Sequence, residues 1–345
     1  MPLRGISKIL GFGCLAVLVA FGLHALINTG LRRVRSLDMG AFNRVMSGRV
    51  NAEIVISGSS RAYGDYDPQV IREITGKSTF NLGQNGSHTD VQLAVLKCYL
   101  KHNVKPRLVV QNLDMHSSVL TTQEEINAPA EYVTYIGEEE LYRTLLRINP
   151  NVWKWRHIPL YGYVVDDMSL TWLLFLRGLS GLNEKERLVD GYYGRDLAWT
   201  SDFDRFKAQH PKGVEFGIPD EGVMVLKDLI ETCQSNHIEL VLVYAPQYYE
   251  MLDLVRNRPE VFAKFHELSD QYHVPFLDYS QSDICKNKDY FYNSQHLNKT
   301  GAELFSSRLG QQLQSFFAAQ GQNINTVSIP AAEIPRTGPE KSVQK

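Results

Sequence analysis

The chain has 345 residues, 43% of them hydrophobic, which suits one large domain or two ordinary ones once an N-terminal segment is set aside, and excludes a collagen, a coiled coil and wholesale disorder. Lys plus Arg number 36 against 38 Asp plus Glu; the first 35 residues hold five bases (Arg4, Lys8, Arg32, Arg33, Arg35) and no acid, so the remainder carries 31 bases against 38 acids, a formal −7. An acidic body lacks the electrostatic footprint of a phosphate-backbone binder, and no nucleic-acid partner is expected. Cys14, Cys98, Cys233 and Cys285 show neither Cys-x-x-Cys nor zinc-ligand spacing, so no disulfide framework is expected.

Residues 9–27 carry no formal charge and, as a helix, extend roughly 28 Å, close to the hydrocarbon thickness of a bilayer. A cleavable signal would place a small-residue site after a shorter apolar core, whereas this run continues through Asn28-Thr29-Gly30 to Arg32-Arg33. The expectation is an uncleaved membrane anchor, with a cleaved signal as the alternative. Bases flank both ends, so the positive-inside rule leaves orientation open.

Past the anchor, β-branched runs at residues 53–57, 107–111 and 239–244 predict buried strands. Asp67-Pro68 is an N-cap followed by proline at the first helical position, and residues 89–101 place Val91, Leu93, Ala94, Val95, Leu96 and Leu100 on one broad apolar face. Further helices are predicted over 219–235, 259–271 and 298–319. Strands alternating with helices give an α/β class, a three-layer α/β/α architecture with a mostly parallel sheet. Residues 115–216, rich in Tyr and Trp, break the alternation and are expected to be an inserted cap or substrate subdomain; the plainer alternative is that their aromatics form a helical core of their own. Residues 320–345 are expected to be a disordered tail.

Three segments could carry chemistry. Ser60 follows the first strand in Ser57-Gly58-Ser59-Ser60-Arg61, where Gly58 permits a tight turn; its hydroxyl is either a nucleophile lifted into a crevice or a helix cap. His296 stands in Asn293-Ser294-Gln295-His296, ahead of a helix whose N-cap is Asn298, and could take a serine proton if the fold joins the two. His88 and His116, nearer strand ends, are the competitors. Between Ser60 and His296, Asn81 to Gly86 is a glycine-bearing loop whose amides could face a developing oxyanion or simply turn the chain. Asp65-Tyr66-Asp67 has the form of a metal-binding Asp-x-Asp, but Pro68 makes Asp67 a helix cap, and neither metal nor cofactor is expected.

Together these segments resemble the SGNH/GDSL hydrolase superfamily, most closely its bacterial membrane-anchored, uncharacterised branch that begins with a Gly-Ser-Ser-Arg block. The resemblance covers about residues 52–114 and 219–318. It implies Ser60 as nucleophile, His296 as base, and an oxyanion hole from the amides of Gly86 and Ser60, with Asn81 opening the second block. Two positions depart from the pattern. Asn293 replaces the aspartate that orients the histidine; an amide that presented its NH₂ would select the wrong imidazole tautomer, whereas its carbonyl oxygen could serve as in Cys-His-Asn enzymes, with Asp289 and Asp278 as other orienting groups. Gln111-Asn112-Leu113-Asp114 replaces the Gly-x-Asn-Asp element, leaving Asn112 as nominee for the side-chain oxyanion donor. The implied function is a membrane-anchored serine esterase or O-acyltransferase acting on an acylated, specifically O-acetylated, cell-envelope glycan outside the cytoplasm. The alternative is an impaired scaffold that binds glycan or a membrane partner.

Overall fold

Ile54, Val55 and Ile56 have no exposed surface, and the strand they form, β1 (Ile54–Ser57), sits inside the sheet for that reason. The computed structural model describes residues 3–35, 37–115, 125–127, 129–164, 168–181 and 188–322. β1 pairs in parallel with β2 (Thr79–Asn81) on one side and β3 (Leu108–Asn112) on the other; β4 (Glu239–Tyr244) and β5 (Phe276–Asp278) extend the sheet in the order β2-β1-β3-β4-β5. In that order the chain reverses direction across the sheet between β1 and β3, and open α/β sheets bind ligands beyond the carboxyl ends of the strands at such a point.

Helices cover both faces. In chain order they are α1 (Leu3–Leu31), α2 (Leu37–Met46), α3 (Ser60–Asp65), α4 (Pro68–Thr75), α5 (Thr89–His102), α6 (Pro129–Val133), α7 (Glu139–Ile148), α8 (Val152–His157), α9 (Met168–Ser180), α10 (Asp202–Gln209), α11 (Asp220–Ser235), α12 (Tyr249–Leu254), α13 (Arg258–Tyr272) and α14 (Lys299–Gln322). α4 packs against α14 and α5 against α11, which completes a three-layer α/β/α body. The caps anticipated from sequence are in place: Asp67 Oδ1 accepts from the amides of Gln69 (2.8 Å) and Val70 (3.4 Å), and Asn298 Oδ1 accepts from Gly301 (3.0 Å).

Two helices exceed expectation. α1 runs past the apolar segment to Leu31, and Ile27 and Leu31 are buried, so its last turns belong to the body. Gly5–Leu31 is long and apolar enough to cross a membrane, and its most apolar stretch is unburied. α14 continues to Gln322; the remainder of the expected tail, residues 323–345, lies outside the described residues, as does His116.

Between β3 and α11, the described aromatics turn inward more than outward. Trp155, Tyr163 and Tyr192 are buried, with Gly162 seated against Val133 and Trp155. Residues 188–200 form a strap across the sheet's end. The Asn81 amide donates to Asp190 O (2.8 Å), which satisfies the free edge of β2, while the amides of Lys299 and Thr200 bond Arg195 O (2.8 Å) and Tyr292 O (3.0 Å).

Gly58, just past β1, has φ +150°, and a Cβ there would lie 2.7 Å from Ala62 Cβ and 2.8 Å from Asn112 Cβ. Gly58→Ala therefore combines a disfavoured backbone region with overpacking, and should lower unfolding free energy by about 2–4 kcal/mol in chemical denaturation.

Candidate active site

The turn at Gly58 places Ser59 as N-cap of α3 and Ser60 as its first residue. Ser59 Oγ accepts from the Arg61 amide (3.4 Å) and donates to Asp114 Oδ2, so the capping role falls to Ser59 and leaves the Ser60 hydroxyl available. At the helix start the Ser60 amide has no acceptor within α3, a property of any first-turn N–H.

Across the sheet's carboxyl end, Phe291 and Leu297 form an antiparallel bridge, and Tyr292 N donates to His296 O (3.2 Å), closing a small hairpin. Its turn is organised by one atom: Asn293 Oδ1 accepts the amides of Gln295 and His296, both at 2.9 Å, and lies 3.0 Å from His296 Nδ1. Two backbone N–H groups can only converge on an acceptor, so the oxygen and not the NH₂ of Asn293 faces the ring. His296 Nδ1 must then carry the proton and donate it to Oδ1. Nε2 is left as the acceptor, and it lies 2.8 Å from Ser60 Oγ. The arrangement is a Ser-His-Asn relay in the tautomer that general-base catalysis needs.

The imidazole is braced on its face. Tyr292 stacks on it with ring centroids 5.4 Å apart and planes 12° off parallel, and Arg195 of the strap covers the Tyr292 ring at 5.7 Å. Burial raises the Tyr292 phenol above its ordinary pKa, so it stays neutral beside the imidazole.

Beneath Ser60 lies a buried ionic network. Arg61 Nη1 bonds Asp114 Oδ1 (3.0 Å), Nη2 reaches the carbonyls of Ala245 (2.5 Å) and Pro246 (3.1 Å), and its guanidinium lies 4.7 Å from the Tyr244 ring centre. Asp65, one turn further along α3, stands 3.8 Å from Arg61 Nε and accepts the Leu297 amide on Oδ1 (3.0 Å). Burial opposes the charge on Arg61, but Tyr244, Asp114 and Asp65 around it outweigh that and raise its pKa above the usual guanidinium value. The network ties α3 to the ends of β3 and β4 and, through Leu297, to the residue next to His296.

Ser60, His296 and Asn293 are each partly exposed. A small cleft of about 20 Å³ opens at Ser60, bordered by Ser59, Asp114, Met115, Gln247 and Gln295. The other expected residues lie elsewhere. Asn81 is buried, its Nδ2 donating to Ala62 O (2.7 Å) and Tyr66 O (3.0 Å) and its Oδ1 accepting from Gly83 (2.8 Å); it buckles β2 to α3 and does not border the cleft at Ser60. Asn112 ends β3 under the Gly58 elbow, with Oδ1 taken by the Tyr66 hydroxyl (2.7 Å) and Nδ2 without a partner among the described residues; it is fully buried and does not border the cleft. Gly86, at φ +69°, borders a separate cavity of about 320 Å³ shared with Phe42, Phe80, Tyr132 and Tyr63, the last one helical turn beyond Ser60. Asp289 is exposed and Asp278 is held by the Ser280 amide (2.8 Å), so neither replaces Asn293 at the ring.

Sequence reasoning missed Arg61, Asp65, Asp114 and Tyr292. In the sequence Asp65 stands out only as half of an Asp-x-Asp; among the described residues no group of three or more His, Cys, Asp or Glu is placed to hold a metal ion.

No protein-family profile matches the chain, and no curated protein does. Among solved structures it is similar to a GDSL-like lipase from Bacteroides thetaiotaomicron, at 10% identity and TM-score 0.39 over 80% of this chain and 100% of that one. An inhibitor-bound aryl esterase of M. smegmatis matches at 12% identity and TM-score 0.33 over 76% and 98% of the two chains. A protein assigned to the G-D-S-L lipolytic family from Desulfitobacterium hafniense matches at 11% identity and TM-score 0.35 over 76% and 99%.

Removing one partner of a buried ion pair strands the other charge, at about 3–5 kcal/mol. Arg61→Met should lower unfolding free energy by about that amount, measured in denaturant. Arg61→Met combined with Asp114→Leu should recover more than 1 kcal/mol of it, because the second change removes the nearer of the two carboxylates that lose their cation, Asp65 being the other (about 1.4 kcal/mol being tenfold in the equilibrium).

Proposed function

We propose that the chain is a membrane-tethered, SGNH-like serine ester hydrolase or O-acyltransferase. The observation that carries this reading is the contact of His296 Nε2 with Ser60 Oγ at 2.8 Å while Nδ1 is committed to Asn293 Oδ1 at 3.0 Å. Ser60 Oγ attacks the acyl carbonyl as its proton passes to Nε2, giving a tetrahedral oxyanion. The imidazolium returns that proton to the departing alkoxide, the C–O bond breaks, and the acyl group remains esterified to Ser60. Water or a second hydroxyl then repeats the sequence, again with His296 as base, and frees the serine. The Ser60 amide at the start of α3 is the oxyanion donor in this reading; Gly86, which borders the separate cavity, is not.

Asn293 fixes the tautomer as an aspartate would, but supplies no charge to stabilise the imidazolium. The cost is a lower rate and not an inverted proton, which favours a slow enzyme over the inert scaffold. For substrate, the reading is an O-acyl, specifically O-acetyl, group on a cell-envelope glycan, with the body outside the cytoplasm. It is supported by the spanning-length α1 and by an aromatic group beside the histidine loop, where Trp199 meets Tyr248 at 4.8 Å and Tyr249 is exposed.

The test is turnover of p-nitrophenyl acetate by the full-length protein in detergent. Ser60→Ala should reduce kcat/KM by about 10³-fold or more, and unchanged turnover would reject Ser60 as nucleophile. Asn293→Asp should raise kcat roughly tenfold, since a charge-assisted hydrogen bond to the imidazolium is stronger by about 1.4 kcal/mol. Activity appearing only in Asn293→Asp would instead favour the scaffold. With neutral His296 as the base, kcat/KM should fall on acidification, and His296→Ala should abolish that limb of the profile.

A further inference from the structure

α9 has two unlike faces. Thr171, Leu174, Phe175 and Gly178 are buried, whereas Trp172, Leu173, Leu176 and Leu179 are exposed, Leu176 at 57% and Trp172 at 48%. Large apolar side chains gathered on one exposed helix face mark an interaction surface.

The buried face of α9 lies on α1. A Cβ added at Gly178 would be 1.8 Å from Gly30 O, and one at Gly30 would be 2.5 Å from Phe175, so the two glycines let the backbones touch. Further back along α1, Leu23 and Ile27 share an apolar recess with Thr171, Trp172, Leu160 and Tyr163. The same region is locked by polar contacts: Leu160 N donates to His24 Nδ1 (3.2 Å), and the Tyr163 hydroxyl donates to Asn28 Oδ1.

These contacts fix a depth. Past Lys8 the exposed apolar stretch of α1 runs from Ile9 to Leu26, seventeen steps of about 1.5 Å or roughly 26 Å, close to one hydrocarbon thickness. Trp172 borders the recess formed with Leu23, about 4–5 Å inside the exit at Leu26, while Phe175 and Gly178 are level with Gly30 beyond it. The exposed face of α9 is thus continuous with the surface of α1 where that helix leaves the bilayer, and Trp occupies the level at which interfacial Trp and Tyr are enriched. Val164, 54% exposed, extends the same patch.

We infer that α9 is a second membrane contact: a foot whose Trp172, Leu173, Leu176 and Leu179 sink into the headgroup and outer acyl region of the leaflet from which α1 emerges. A lone spanning helix would leave the catalytic body free to swivel. A foot locked to α1 through Gly30 and Gly178 sets the body's height and tilt against the lipid. The inference rests on the reading of α1 as a membrane span.

The full-length protein is reconstituted in phosphatidylcholine vesicles, and the emission of Trp172 is taken as the difference between wild type and Trp172→Phe. In lipid brominated near the headgroup end of the acyl chain, that difference should lose roughly half its intensity or more, as expected of a Trp at the interface. Phe12→Trp in the Trp172→Phe background reports α1 itself and should be quenched by lipid brominated near mid-chain. Quenching at position 12 with none at Trp172 overturns the foot and leaves the anchor standing, including the case of blue-shifted but unquenched emission from burial against a second copy. No quenching at either position removes the anchor and the foot together.

Discussion

The Arg61 guanidinium is the hinge of the structure. A buried charge persists only when surrounded by compensating groups, and Arg61 finds them in Asp114 after β3, in the Ala245 and Pro246 carbonyls after β4, and in Asp65 of its own helix. Three loops at the carboxyl end of the sheet are held to one cation. Asp65 extends the tie to a fourth by accepting the Leu297 amide, so the position of His296 relative to Ser60 follows from a buried network beneath the cleft. Hydrophobic packing could stabilise the same body, but it would not specify which loop end meets which.

On that platform one side-chain amide sets the tautomer of His296. Asn293 differs from the expected aspartate by a single atom, and from sequence the two orientations of its amide have opposite consequences for the imidazole tautomer. The converging amides of Gln295 and His296 settle the orientation. Tyr292 on the ring face and Arg195 over Tyr292 then limit rotation of the imidazole. The strap carrying Arg195 comes from the segment read as an insertion, so part of that segment serves as a brace for the histidine loop.

Legibility from sequence followed the range of the interactions. β1, β3 and β4 were readable because β-branched runs and flanking turns are local, as were the Asp67 and Asn298 caps, where one side chain meets an amide two or three residues on. β5, only three residues after Pro275, is too short to show a period, and α2 carries a weak apolar pattern; neither was anticipated. Motif order groups Ser60, His296 and Asn293, and the fold sets their side chains in contact. The Arg61 network was not legible, because Arg61 and Asp114 are 53 residues apart and no periodicity links them. Asn81 and Asn112 show the converse. Their place in the motif suggested ligand contacts, but the fold spends Asn81 on helix carbonyls and Asn112 on Tyr66.

Everything chemical in this account depends on Ser60 Oγ being made nucleophilic by His296. The most direct measurement is covalent: incubation of the full-length protein with a fluorophosphonate, followed by peptide mass spectrometry. The account predicts one stoichiometric adduct, on the peptide bearing Ser60, formed at least about a hundredfold more slowly in His296→Ala, consistent with general-base assistance of 10²–10⁴. An adduct on another residue, or labelling of Ser60 at the same rate without the imidazole, would contradict it.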